Sequence, residues 1–175
     1  MPDDPVPASP SRASMLPDEV FALAARVVAE NRAAGRTIAL AESCTGGLVA
    51  AALTEIPGSS AVLDRGFVTY SNEAKLEMLS VSSDIIDTFG AVSIACAWSM
   101  AQGALKHSRA DVTVAISGIA GPDGGNAQKP VGTVVFARAI RGSDEVMAEE
   151  RLLEASSRAE VRYQATLVAL ELLLP

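Results

Sequence analysis

Short β-branched runs alternate with stretches of helical spacing along most of this chain, and that alternation restricts it to an α/β architecture. Residues 37–41 (TIALA) predict a short buried strand, 62–70 a second, and 111–117 (DVTVAIS) a third with the strongest pattern. Strands over 131–140 and 145–153 follow, and the turn residues Gly142, Ser143 and Asp144 between them predict an antiparallel hairpin. Pro17, Asp18 and Glu19 open a first helix on whose apolar face lie Val20, Leu23, Ala24, Val27 and Val28; Gly35 stops it. Further helices are predicted over 45–55, 72–79, 84–89 and 93–107. Ser157 and Glu160 form a capping box for the last one. The order α-β-α-β-α-α-α-β-β-β-α predicts a single α/β domain with a mixed sheet and helices on both faces.

A chain of 175 residues is one domain's worth, long enough to bury a core without disulfide or metal staples. Residues 1–14, rich in Pro, Ser and Asp, are expected to form a disordered tail before a domain over 15–175. The net charge of −7 argues against a broad nucleic-acid footprint, so any anion must be held by a few focused groups. Two cysteines, Cys44 and Cys96, and one histidine, His107, exclude a His/Cys zinc cluster and leave little for a Ser-His-Asp triad. Carboxylate-held Mg²⁺ is compatible with the composition, but the acids lack ligand spacing, so no metal and no cofactor is expected. The opening MPDDPVPASP has neither a basic nor an apolar signal region, and no apolar run reaches ~18 residues. A cytoplasmic protein without membrane contact is the expectation.

Three segments carry candidate chemistry. Ala41 to Gly47 (AESCTGG) closes a predicted strand and opens a helix, where small residues and free N–H groups suit an anion or oxyanion. Ser43 at that bend is expected to face solvent as in a nucleophile elbow, although capping of the helix by Ser43 or Thr45 is the commoner use of such residues. Gly66 to Lys75 (GFVTYSNEAK) places one of three lysines at a helix start, where the dipole disfavours a cation. A desolvated lysine can surrender its proton and serve a serine as base. The alternative is an exposed Lys75 paired with Glu73 or Glu77; Ser71, four residues before it, is a second nucleophile candidate and a natural cap. Ser117 to Gly125 (SGIAGPDGG) follows a strand, and its glycines, Gly118 and Gly121 among them, allow close backbone approach to a nucleotide or amide. Arg158 and Arg162, one turn apart on the last helix, can grip a phosphate or neutralise surface acids. Cys44, Cys96, Trp98 and Met100 read as core, and His107 as a helix end.

Together ESCTGG, RGFVTYSNEAK, GAVS and SGIAGPDGG…KPVGTV, in this order, resemble the CinA C-terminal-domain family from about residue 18 onward. The resemblance implies a three-layer α/β/α domain and, from the family's enzymatic members, nicotinamide-nucleotide amidohydrolase activity. The expected reaction hydrolyses the carboxamide of nicotinamide mononucleotide (NMN) to nicotinic acid mononucleotide and ammonia. By the same resemblance Ser43 is the nucleophile, Lys75 its base, Tyr70 an active-site tyrosine, Ser117 a hydroxyl position and Arg158 a substrate-binding arginine. Backbone N–H groups around Thr45 and Gly46 are expected to hold the oxyanion. Many members carry a large preceding domain, and this chain resembles the stand-alone form. A homodimer is expected by analogy with compact enzymes. A non-catalytic nucleotide-binding module, or an amidase for another substrate, are the alternatives at this stage.

Overall fold

The computed structural model describes residues 14–175; the expected tail lies, but for Ser14, outside the described residues. Helix α1 (Asp18–Ala33) leads into β1 (Ile38–Glu42), α2 (Leu48–Thr54) and β2 (Leu63–Val68). Helices α3 (Asn72–Leu79), α4 (Ser83–Phe89) and α5 (Ile94–Lys106) follow, then β3 (Val112–Gly118), β4 (Thr133–Ile140), β5 (Met147–Leu152) and α6 (Arg158–Leu172). One short 3₁₀ turn, Ser59–Ala61, was not foreseen from the sequence pattern.

The strands form one mixed sheet in the order β2-β1-β3-β4-β5. β1 runs parallel to both β2 and β3, whereas β3–β4 and β4–β5 are antiparallel, the last pair being the expected hairpin. Every residue of β1 is buried, as a strand covered on both faces requires. Ile38 and Leu40 face α1, α2 and α6 with Val112, Val114, Ile116 and Phe136. Ala41, Ala115, Ala137 and Ala139 line the opposite face, and these small side chains let α5 lie close to the sheet. The result is an α/β/α three-layer arrangement. Among the described residues no helix is long and apolar enough to cross a membrane.

From β1 the chain crosses on one face to β2, then returns on the other face, through α3, α4 and α5, to β3 on the far side of β1. The parallel strands therefore diverge at their carboxyl ends beside β1, the place where open α/β sheets hold ligands. The segments following Glu42, Val68 and Ile116 meet there, since these three residues are in register.

Helix α2 begins at Leu48 rather than at the expected residue 45, because Gly46 (φ 61°) and Gly47 (φ 98°) are left-handed and belong to a turn. Ser157 caps α6 as expected by accepting from the Glu160 N–H. Glu160 departs from the reciprocal pattern, taking the Ser156 N–H and hydroxyl instead of the Ser157 amide.

Gly103 on α5 matters to the site at a distance. A Cβ there would strike the carbonyl of Leu79, where α3 ends, so only glycine lets α3 settle on α5. Gly103→Ala is therefore expected to lower stability by ~1–3 kcal/mol through forced displacement of α3, despite alanine's better helix propensity. Urea unfolding of the two proteins checks this; an unchanged midpoint means that α3 moves without cost.

Candidate active site

The bend after β1 is held by charge on two sides. Glu42, the last residue of β1, is 1 % exposed, and its carboxylate accepts the N–H groups of Gly47 (2.9 Å), Val49 (3.2 Å) and Ala50 (2.9 Å). It thereby takes the free donors and the positive end of α2. From α6, Arg162 donates to the carbonyls of Cys44 and Thr45, both at 3.1 Å. The Gly46 N–H closes the turn onto the Ser43 carbonyl at 3.0 Å.

Ser43 does not face open solvent as expected. It is 7 % exposed and lines a cavity of about 240 Å³, because the layers on both sides of β1 rise past the strand end. Opposite it, Lys75 leaves α3 one turn from the N-terminus and points back along the helix. Its Nζ lies 3.1 Å from Ser43 Oγ and donates to the carbonyls of Thr69 (2.8 Å), Tyr70 (3.4 Å) and Ser71 (3.4 Å). Lys75 is 1 % exposed and, among the described residues, forms no ion pair, so the pairing with Glu73 or Glu77 is not what it does. Burial pushes its pKa below the usual lysine value.

Arg158 and Tyr70 form the rim. Arg158 donates to the Tyr70 hydroxyl at 2.7 Å and to the Gly121 carbonyl at 2.8 Å, linking α6, the β2–α3 connection and the Gly-rich loop. Tyr70 is 59 % exposed and lines the cavity with Arg158, while Arg162 does not reach it. Ser117 and Gly118 form the wall from β3. The Ser117 hydroxyl donates to the Ala91 carbonyl at 2.8 Å, which spends the hydrogen an oxyanion would have needed.

The expected oxyanion donors change as well. The Gly46 N–H is taken by Ser43, and Thr45 lies outside the cavity with its hydroxyl buried and unpartnered among the described residues. Cys44 does line the cavity, and its N–H, the amide following the serine, has no backbone acceptor among the described residues, so it is the candidate donor on the cavity side. The Cys44 thiol packs into the core, and burial first of all raises its pKa to about 11, which keeps it protonated. Ser71 spends its hydroxyl capping α3 through the Ala74 N–H.

Residues 20–175 match the family described as the CinA C-terminal domain. The chain belongs to this family. It is 49% identical over 159 residues to the nicotinamide-nucleotide amidohydrolase PncC of Escherichia coli (strain K12), covering 91% of this chain and 95% of that protein. A CinA-like protein of Syntrophotalea carbinolica is 47% identical over 157 residues, which are 87% of this chain but 37% of that longer protein. Among solved structures, the competence/damage inducible protein CihA from Agrobacterium tumefaciens superposes with a TM-score of 0.87 at 49% identity, covering 90% of this chain and 95% of the other. A CinA superfamily protein of Klebsiella pneumoniae gives 0.83 at 38% identity, covering 88% and 94%.

In this CinA-family chain, sequence reasoning missed the residues that build the site without entering it. Glu42, an acid ending an apolar strand, was quoted only within its motif. Lys129 passed unnoticed, though its Nζ donates to the Phe89 and Val92 carbonyls (3.2 and 2.5 Å) and pins the Gly-rich loop to the segment bearing Ala91. A larger hollow of about 410 Å³ runs between β4, β5 and the end of α6, but Arg138, Glu149 and Arg151 there accompany no nucleophile. The cavity at Ser43 is smaller, and its chemistry singles it out.

The buried amine makes a stability prediction. With its folded pKa below the unfolded value near 10.5, Lys75 binds fewer protons folded than unfolded between those two values. Stability should therefore rise with pH across that window, relative to Lys75→Met, which has nothing to titrate there. Urea midpoints measured over the alkaline range test the difference, and parallel curves for the two proteins contradict a lowered pKa.

Proposed function

We propose that this protein hydrolyses the carboxamide of NMN, with Ser43 as nucleophile and Lys75 as general base. The observation that carries the reading is the 3.1 Å contact between Lys75 Nζ and Ser43 Oγ inside a cavity, with no carboxylate on the amine among the described residues. A neutral amine has two N–H donors and one lone pair. The donors fit the Thr69 carbonyl and one of its two neighbours, leaving the lone pair for the Ser43 proton. The E. coli relative, named as a nicotinamide-nucleotide amidohydrolase, supports NMN as the substrate.

The amide carbon is attacked by Ser43 Oγ as its proton passes to Lys75, and the carbonyl oxygen gains negative charge against the Cys44 N–H. Such a donor can be worth ~3 kcal/mol in a dry site. Tyr70 accepts from Arg158, so its own hydroxyl hydrogen is free to be donated toward the departing ammonia. Water then hydrolyses the acyl-enzyme, and Lys75 serves again as base. Burial of Lys75 favours the neutral amine that this step requires. Ammonia release from NMN, compared with nicotinamide and NAD, tests the function. We expect NMN turnover rising with pH through the lowered Lys75 pKa, and its loss in Ser43→Ala and in Lys75→Arg, which keeps the charge but cannot give up a proton. Full activity in either variant assigns the chemistry elsewhere.

Arg158 separates two contributions. Its guanidinium holds Tyr70 and still has hydrogens left for a phosphate, so Arg158→Ala should lower kcat for NMN and for nicotinamide riboside alike. The KM for NMN alone should rise by about ten- to a hundredfold, the usual worth of one charge-assisted contact. Equal KM changes for both substrates exclude a phosphate contact.

A further inference from the structure

Arg162 is neither a surface charge nor a wall of the cavity. It leaves α6 one turn after Arg158, yet its Nε and Nη2 go to the carbonyls of Cys44 and Thr45, the two peptides immediately beyond the one that follows Ser43. Its side chain lies among Leu16, Pro17, Leu48 and Tyr163, on the other side of the bend from the cavity. Both carbonyls are therefore turned away from the reacting center. In a trans peptide the N–H points opposite to the C=O. Arg162 on the Thr45 carbonyl thus aims the Gly46 N–H of the same peptide, which donates to the Ser43 carbonyl, and that carbonyl shares its peptide plane with the Cys44 N–H.

Beside Arg162, the closure from the Gly46 N–H to the Ser43 carbonyl restrains the bend on this side. Gly46 and Gly47 have left-handed φ values and offer little stiffness of their own, and Glu42 holds only the amides from Gly47 onward. We propose that Arg162 is a positioning residue: by holding the Thr45 carbonyl outward it keeps the Gly46 N–H on the Ser43 carbonyl, and so keeps the Cys44 N–H facing the oxygen of the carbonyl that Ser43 attacks. The inference rests on the proposed Ser43 chemistry and deepens it. Its guanidinium also brings positive charge to the turn, felt at the Cys44 thiol, whose pKa it draws downward against the larger effect of burial. That charge favours the developing oxyanion in a protein of net charge −7.

The test compares Arg162→Ala and Arg162→Lys with the wild type. Misplacing an oxyanion donor by about 1 Å costs roughly a hundredfold in rate, so kcat for NMN should fall by about that factor in Arg162→Ala while KM stays within about threefold. The apparent pKa of the rate profile should not move, because Lys75 is untouched. Added guanidinium ion should restore part of kcat in Arg162→Ala, which a merely unfolded or repacked variant does not permit. Arg162→Lys keeps the charge without the fork and should remain below wild type; it carries the comparison should the alanine variant not fold. A second readout is independent of NMN: the rate at which a fluorophosphonate phosphonylates Ser43, where Ser43 Oγ bonds to phosphorus, fluoride leaves and the proton goes to Lys75. That rate should drop in parallel with kcat. Unchanged kcat and phosphonylation in the variants overturn the proposal, as does a rise confined to the KM for NMN, which makes Arg162 a phosphate ligand. Wild-type phosphonylation without NMN turnover defeats the substrate reading alone. Neither reaction in the wild type removes the oxyanion, and this proposal with it.

Discussion

A lysine that is 1 % exposed has lost the water that would solvate its ammonium ion, and among the described residues Lys75 has no carboxylate in its place. Three backbone carbonyls and one serine hydroxyl make up its polar surroundings. Carbonyl dipoles offset part of the desolvation, but burial prevails and the pKa falls. The rest of the site is arranged around that imbalance. α3 must start at Asn72 so that the carbonyls of residues 69–71 sit under the amine, and it must rest on α5 at Gly103 so that the side chain reaches across to β1.

The serine side of the pair is built on the opposite logic, with charge used to stiffen backbone. A turn with two left-handed glycines would be soft in isolation. Glu42 anchors it through three amides of the incoming helix, and Arg162 through two carbonyls from α6. Neither charge is solvated in the ordinary way, and both act on peptide groups instead of on each other. The helix end, which at first sight offers donors for an oxyanion, is already satisfied by the protein's own carboxylate, leaving the Cys44 amide as the candidate on the cavity side.

The element order was legible because it depends on local pattern. Buried strands read as continuous apolar runs, β4 and β5 as a hairpin from their turn, and AESCTGG and SGIAGPDGG as segments at the ends of strands, while their meeting at one cleft comes from the strand order. The start of α2 was misplaced by three residues because φ at Gly46 and Gly47 is decided by the turn and not by propensity. Of the expected oxyanion donors, the Gly46 N–H is spent on the Ser43 carbonyl and Thr45 lies outside the cavity, outcomes that depend on the packed turn.

By itself the sequence determined the α/β class, the family, and which residue types stand at the ends of which strands, since these follow from periodicity, turn chemistry and motif order along the chain. Only the tertiary structure decided that Ser43 and Lys75, 32 positions apart, lie within hydrogen-bond distance, that Arg158 enters the cavity, and that Arg162 braces the bend from outside. The physical reason is that burial and hydrogen-bond partners are properties of the packed layers. The same lysine, four residues after Ser71, would be an ordinary surface charge if α3 lay a few ångströms further from α5.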